Sequence, residues 1–401
     1  MTLSRGFFGR RKGSLSRRAL VLSFAAAVVF AGCGGKDRHS QNDEITVVRY
    51  TITTRDHVAL ALFRYTPSQG HPRPKPILLC PGILENHYAF DLAPGSSLAR
   101  YLACRGIEVW TMEYRGRGSS GVPEGTTEER APWSVDDFGY LDIPAAVDLV
   151  KEESGSEELF LLGYSEGAAA TTAYLLEADS ASSVCGQIWL APSLVMGATS
   201  EQPREAVPPL QNLCNFLFLL EPLFPPDLLL DVPGFVQPIY RFFMDSGLEP
   251  ELLESDIWEV LWNKNNMTAA LAREAIFKLV STISGNEVKQ YLRGANYFHR
   301  RGISTFEGSR LEREKGPFFY MERIPQVTVP TLVLAGTLDH LVPPVTAEYL
   351  LGLLGSQDKS IRVFGLARGD HVDFGHVDLS VGVHAEEDVY PVAAEWLLGR
   401  M

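Results

Sequence analysis

Cysteine is scarce, with five in 401 residues. No two of them stand as Cys-x-x-Cys, which argues against a thiolate metal site or a dithiol redox centre. Cys80 and Cys185 fall in or beside apolar strands and are expected as buried thiols; no pairing among Cys80, Cys104, Cys185 and Cys214 can be read. Positive charge is also in deficit. Thirty-six Lys and Arg against 49 Asp and Glu leave a formal net charge of −13, which disfavours nucleic acid and anionic lipid as partners. Internal repeats are absent. So is any apolar run fit to cross a bilayer as a helix: Ala19–Phe30 has only 12 residues, too few for a stable span. The longer stretch Leu213–Val236 is broken by Glu221, Pro222, Pro225, Pro226, Asp227 and Pro233, whose polar groups would go unpaired in lipid. The glycine-rich stretch Arg115–Gly121 lacks a Gly-Lys-Ser/Thr ending and a helix behind it, so it reads as an ordinary loop. What remains is 45 % apolar and 21 % charged, the balance of a soluble globular chain.

The first 32 residues carry Arg5, Arg10, Arg11, Lys12, Arg17 and Arg18 and no acid, ahead of the short apolar run. That is the layout of a signal peptide. Ala31-Gly32-Cys33 resembles the lipobox of bacterial lipoproteins, with Phe30 where those usually have Leu. The resemblance implies lipidation of Cys33, a membrane anchor through it, and export to the bacterial cell envelope. Ser16-Arg17-Arg18 also resembles a twin-arginine export signal. Removing residues 1–32 takes away six positive charges and moves the net charge from −13 to −19. Residues 33–44 are polar and read as a tether.

Beyond the tether, strands and helices alternate. Ile45–Tyr50 and Val58–Tyr65 make an opening hairpin, and Pro76–Leu84 is a buried strand ending in a glycine loop. Ser97–Arg105 is an amphipathic helix, Glu108–Met112 a strand and Asp142–Glu153 a helix. The apolar run Leu159–Leu162 then reaches Gly163-Tyr164-Ser165-Glu166-Gly167 and an alanine-rich helix. Strand, sharp turn and helix is the context in which Gly-x-Ser-x-Gly exposes a nucleophilic serine at a helix N-terminus. Gln187–Leu190 is a further strand. From 195 to 325 the alternation stops, and this block, with Leu252–Trp262 and Thr268–Ile283 helical by period, reads as a helical cap or lid inserted over the sheet. The sheet resumes at Thr331–Ala335, with Thr346–Leu354 a helix, Ile361–Phe364 the last strand and Glu386–Leu398 a closing helix. The expected fold is therefore α/β, a mostly parallel sheet flanked by helices, built from residues 45–194 and 326–401.

Asp339 follows the Thr331–Ala335 strand at the edge from which open α/β sheets project functional groups. Two histidines compete downstream, in His371-Val372-Asp373-Phe374 and His376-Val377-Asp378-Leu379. Ser165, Asp339, then histidine is the chain order of α/β-hydrolases. A serine hydroxyl needs an imidazole to take its proton, and the imidazole needs a carboxylate to fix its tautomer. The backbone N–H groups of Ile83 and Glu166 are the expected oxyanion donors. His-x-Asp twice over is also a metal-like pattern, but no third cluster with ligand spacing accompanies it. No metal or cofactor is expected.

Residues 45–400 resemble the acid-lipase branch of the α/β-hydrolases, the gastric and lysosomal lipases, and more closely bacterial lipoprotein hydrolases of similar layout. The matching stretches are Pro81-Gly82-Ile83-Leu84, Ser97-Leu98-Ala99, Gly106–Trp110, Tyr140–Asp148, the serine turn and Gly336–Asp339. In that family the catalytic histidine opens His-Leu-Asp-Phe, with a glycine six residues on and a Val-Tyr pair later. His376, followed by Gly382 and Val389-Tyr390, fits those landmarks. His371 is displaced by five residues and is the second choice. Pro81 replaces the vertebrate lipases' His, and Glu166 replaces their Gln. The resemblance implies hydrolysis of an ester or lipid through an acyl-serine. Acyl transfer, thioester or peptide cleavage by the same triad, and an inactive binding lipoprotein, are the alternatives.

Overall fold

A computed structural model describes residues 45–67, 72, 74–123, 133–177, 181–195, 228–295 and 302–401; the leader, Cys33, Cys214 and the first part of the expected cap lie outside them. Eight strands form one sheet: β1 (Ile45–Thr53), β2 (Ala59–Pro67), β3 (Ile77–Cys80), β4 (Val109–Met112), β5 (Leu159–Tyr164), β6 (Val184–Leu190), β9 (Thr331–Gly336) and β10 (Lys359–Phe364). The short pair β7 (Leu229–Leu230) and β8 (Ile283–Ser284) stands apart from it. The order across the large sheet is β1-β2-β4-β3-β5-β6-β9-β10. Only β2 runs against the other seven.

The inner strands β3, β4, β5 and β9 are buried in every residue because both faces are covered. On one face Leu78, Leu161 and Val333 pack under the helices Ile143–Ser154, Glu166–Leu175 and Pro344–Leu353. On the other, Leu79, Leu162 and Leu334 pack under Leu98–Ala103 and Ala385–Leu398. Register aligns the carboxyl ends: Cys80 pairs with Gly163, Tyr164 with Leu190, and Leu190 with Leu334. Four loops, those after β3, β5, β6 and β9, therefore open side by side at one edge.

The described residues of 228–295 and 302–325 form mainly short helices, whose bounds differ from the periodicity. Val232–Asp245 is a helix despite its prolines. Pro233 sits in the first turn, where no N–H is needed, and Pro238 lies inside. The segment expected as one helix over Thr268–Ile283 ends at Leu279 after a π turn and gives way to β8. Gly285–Ala295 is a polar helix that the apolar pattern did not mark. Trp258 and Trp262 do stack, ring centroids 4.5 Å apart. Cys80 is buried and its thiol pushed up to about 12, whereas Cys185 is only half-buried, contrary to expectation. Among the described residues no helix is long and apolar enough to cross a membrane.

Candidate active site

Ser165 stands between β5 and the helix Glu166–Leu175 with φ 53° and ψ −114°. A non-glycine residue held there stores about 1–3 kcal/mol, which the surrounding packing must offset. Its N–H donates to Leu190 O at 2.8 Å, and its carbonyl accepts from Ala168 N at 3.0 Å. Gly167 permits the turn to press against the end of β3: a Cβ there would collide with the Cys80 carbonyl oxygen. Gly82 does the same for the neighbouring loop, where a Cβ would lie 3.2 Å from Ser165 Cβ.

The structure brings together three of the four expected side chains. Ser165 Oγ lies 2.8 Å from His376 Nε2, and His376 Nδ1 lies 2.8 Å from Asp339 Oδ2. The other Asp339 oxygen accepts from the N–H groups of Leu341 (2.9 Å) and Val342 (2.8 Å), so the carboxylate is fixed from both sides. All three residues are buried. Burial by itself would lower the His376 imidazole, but the charge and hydrogen bond of Asp339, reinforced by Glu85 and Asp378, outweigh it and hold the group above its ordinary value. His371, the second choice for the base, is exposed and bonds Asp388 instead.

The loop carrying His376 is held by residues that sequence reasoning missed. Asp378 accepts from Asn263 N at 3.0 Å, Gly375 N at 3.0 Å and Asn266 Nδ2 at 2.8 Å. Val377 N donates to Leu261 O at 2.8 Å. The inserted segment thus clamps the histidine from outside the sheet.

Two more missed side chains flank Ser165. Glu85 is buried, accepts from Gly82 N at 3.0 Å, and is pushed by burial up to about 7. Arg117, read as an ordinary loop residue, is wholly buried. It donates through Nη1 to Gly82 O at 2.6 Å and through Nη2 to Glu166 at 2.5 Å, and it also pairs with Glu287 of the helix Gly285–Ala295. The side chain of Glu166 is thereby turned into an ion pair, while its N–H, first in the helix, has no intrahelical acceptor. Arg115 is structural, bridging Asp56 and Asp142. The sequence signal for Arg117 was its place in a glycine-rich loop at the carboxyl edge, nothing stronger.

The mostly parallel eight-stranded sheet, with a strained serine turn after its central strand, is an α/β-hydrolase fold. Residues 75–266 match a family model described as "Serine aminopeptidase, S33". The chain is 23 % identical over 367 residues to lipase member K of Homo sapiens, covering 85 % of each chain. It is 23 % identical over 355 residues to the poly(3-hydroxyalkanoate) polymerase subunit PhaC of Haloferax mediterranei, covering 85 % of this chain and 62 % of that one. Among solved structures, a soluble variant of monoglyceride lipase from Saccharomyces cerevisiae superposes with a TM-score of 0.54 at 15 % identity, covering 86 % of this chain and 92 % of that one.

Proposed function

We propose that this protein is a serine hydrolase that cleaves carboxylic esters of the lipase and esterase type. The observation that carries the reading is the unbroken hydrogen-bonded line from Ser165 Oγ through the His376 ring to Asp339, both links 2.8 Å. Likeness to lipases over most of both chains supports a hydrolase of ester substrates.

In this reading His376 Nε2 takes the Ser165 proton as Oγ attacks the ester carbonyl carbon. Asp339 holds the other ring nitrogen protonated and balances the imidazolium. The tetrahedral oxyanion is received by the N–H groups of Ile83 and Glu166. Collapse breaks the ester C–O bond, and the leaving alcohol takes the proton from His376. Water, deprotonated by the same ring, then releases the acid from the acyl-serine. Residues 195–325 are the cap in this reading, placed over the sheet between the two parts of the core. The acid-lipase branch is the proposed lineage, on the motifs quoted above. The basic leader and Ala31-Gly32-Cys33 support export and anchoring through lipidated Cys33, which the mass of the mature N-terminus tests.

The test of the activity is Ser165→Ala assayed on p-nitrophenyl esters. Activity should vanish with thermal stability kept, and a fluorophosphonate probe should label the native protein but not the variant. Equal turnover by the variant overturns the reading. The likeness to a polymerase subunit favours acyl transfer as a second reading, and a panel of acyl donors with and without an alcohol acceptor separates the two by product.

A further inference from the structure

His371 does not reach Ser165, yet it is not an isolated surface ring. It lies parallel to His384, the planes 2° apart and the ring centroids at 5.0 Å. Glu387, in the first turn of the closing helix, brings its Oε2 to 2.9 Å from His384 Nδ1 and 3.9 Å from His371 Nε2. One ligand atom from each of the three lies within 4.8 Å of the others.

We propose that His371, His384 and Glu387 form a binding site for a zinc-class divalent cation. Two imidazoles and one carboxylate are a donor set such ions take, with ligand bonds of about 2.0–2.2 Å. Tetrahedral geometry then requires donor atoms about 3.3 Å apart, a value that 2.9 and 3.9 Å bracket. Closing the set requires rotation of Glu387 and of at least one of the two parallel imidazoles, and the open side supplies the fourth position to water.

Three further features favour the site. His371 Nδ1 lies 2.7 Å from Asp388 Oδ1, and its backbone N–H donates to the other Asp388 oxygen at 2.9 Å. That is the carboxylate-oriented histidine of metal centres, with Nε2 left outward as the ligand. His384 is anchored through its backbone N–H, which donates to Asn266 Oδ1 at 3.0 Å. Finally, the positive end of a helix ordinarily repels a cation, but Glu386, Glu387 and Asp388 in the first turn reverse the sign here.

Position gives the site its consequence. The two histidines lie five residues before and eight residues after His376. An ion bound by both ties the two ends of that loop together, adding a cross-link that the unfolded chain lacks. Binding forms two nitrogen–metal bonds and one oxygen–metal bond, and any proton held on the ligating atoms passes to solvent. No redox step is involved.

The test is a titration of the EDTA-treated full-length protein with Co2+, read by visible d–d absorption, and with Zn2+, read by calorimetry. One equivalent should bind with a tetrahedral cobalt spectrum, and Zn2+ should raise the melting temperature. His371→Gln, His384→Gln and Glu387→Gln should each weaken binding at least about tenfold, while His57→Asn leaves it unchanged. The three ligands are surface side chains, so the variants fold, and their melting curves without metal confirm it. The site does not exist if His371→Gln/His384→Gln binds Co2+ as tightly as the parent, or if the parent shows only weak, non-saturating uptake.

Discussion

Arg117 Nη2 stands 2.5 Å from Glu166 Oε2, so the residue following Ser165 has its charge answered from inside the protein. The same guanidinium holds Gly82 O and meets Glu287. It therefore joins the serine turn, the loop after β3 and the inserted helix. Two carboxyl groups face one cation, and burial raises both, Glu287 well above its ordinary range. Glu166 Oε1 and Glu287 Oε2 find no donor. One proton shared by the two carboxyls would supply one of these oxygens and leave the cluster neutral.

Removing the cation should be far worse than removing one carboxyl. Arg117→Leu strands two buried acids and should cost about 3–5 kcal/mol. Glu287→Gln keeps the side chain's shape and removes one of two carboxyls competing for one cation, and should cost less than about 1 kcal/mol. Urea unfolding of the two variants checks the asymmetry.

The two histidines of the terminal loop should separate by orders of magnitude. His376→Ala is expected to lower kcat/KM on a p-nitrophenyl ester by about 10⁴-fold or more. His371→Ala, exposed and off the hydrogen-bonded line, should stay within about threefold. Steady-state kinetics on both variants decides which ring is the base.

Asn266 should affect turnover without touching substrate. Its carboxamide ties Asp378 to the inserted segment. Asn266→Ala should lower kcat about tenfold with KM nearly constant, because a loosened loop misplaces the His376 ring in the transition state.

Glu85 should set the acid limb of the pH profile. Its negative charge favours the imidazolium of His376, so the base becomes neutral only at higher pH. In Glu85→Gln that attraction is gone, and the rise of kcat/KM with pH should move to lower pH. An unmoved limb would show that the two groups do not communicate.

Stability should fall as the solution is taken from about pH 5 toward 8. Burial pushes Glu85 up to about 7 and Asp136, Asp142 and Asp378 up to about 6. Over that interval the folded state holds protons that the unfolded chain has released, so the slope of unfolding free energy against pH is negative. His376, raised as well, adds to the loss above its ordinary value. Asp56 and Glu249 are lowered, and they lose their contribution only on acidification below their unfolded values. Melting temperatures across the series test the sign.

The strands were legible because inner strands of a sheet covered on both faces are short, apolar and bounded by turns. Ser165 and Asp339 were legible because each ends such a strand. The choice of His376 over His371 needed the family landmarks at Gly382 and Val389-Tyr390, since both copies carry the same local pattern. Arg117 was not legible: nothing local distinguishes a loop arginine in solvent from one closed in by Glu287, a residue 170 positions away. The Gly285–Ala295 helix was missed for a related reason. Beside Tyr291, which reaches the core, its buried face carries Glu287 and Gln290, which meet charge and hydrogen bonds. The His371–His384–Glu387 group hid in the same way, its members scattered over a loop and the start of a helix.

The hydrogen bond between Ser165 and His376 spans 211 residues. A ribosome therefore completes the serine turn long before any partner imidazole exists. On the proposed mechanism, every shorter chain, nascent or proteolysed ahead of residue 376, would carry a serine without its base, and reactivity would arrive only when the last fifteenth of the polypeptide has docked. Synthesis order would then keep the unfinished molecule harmless to esters around it.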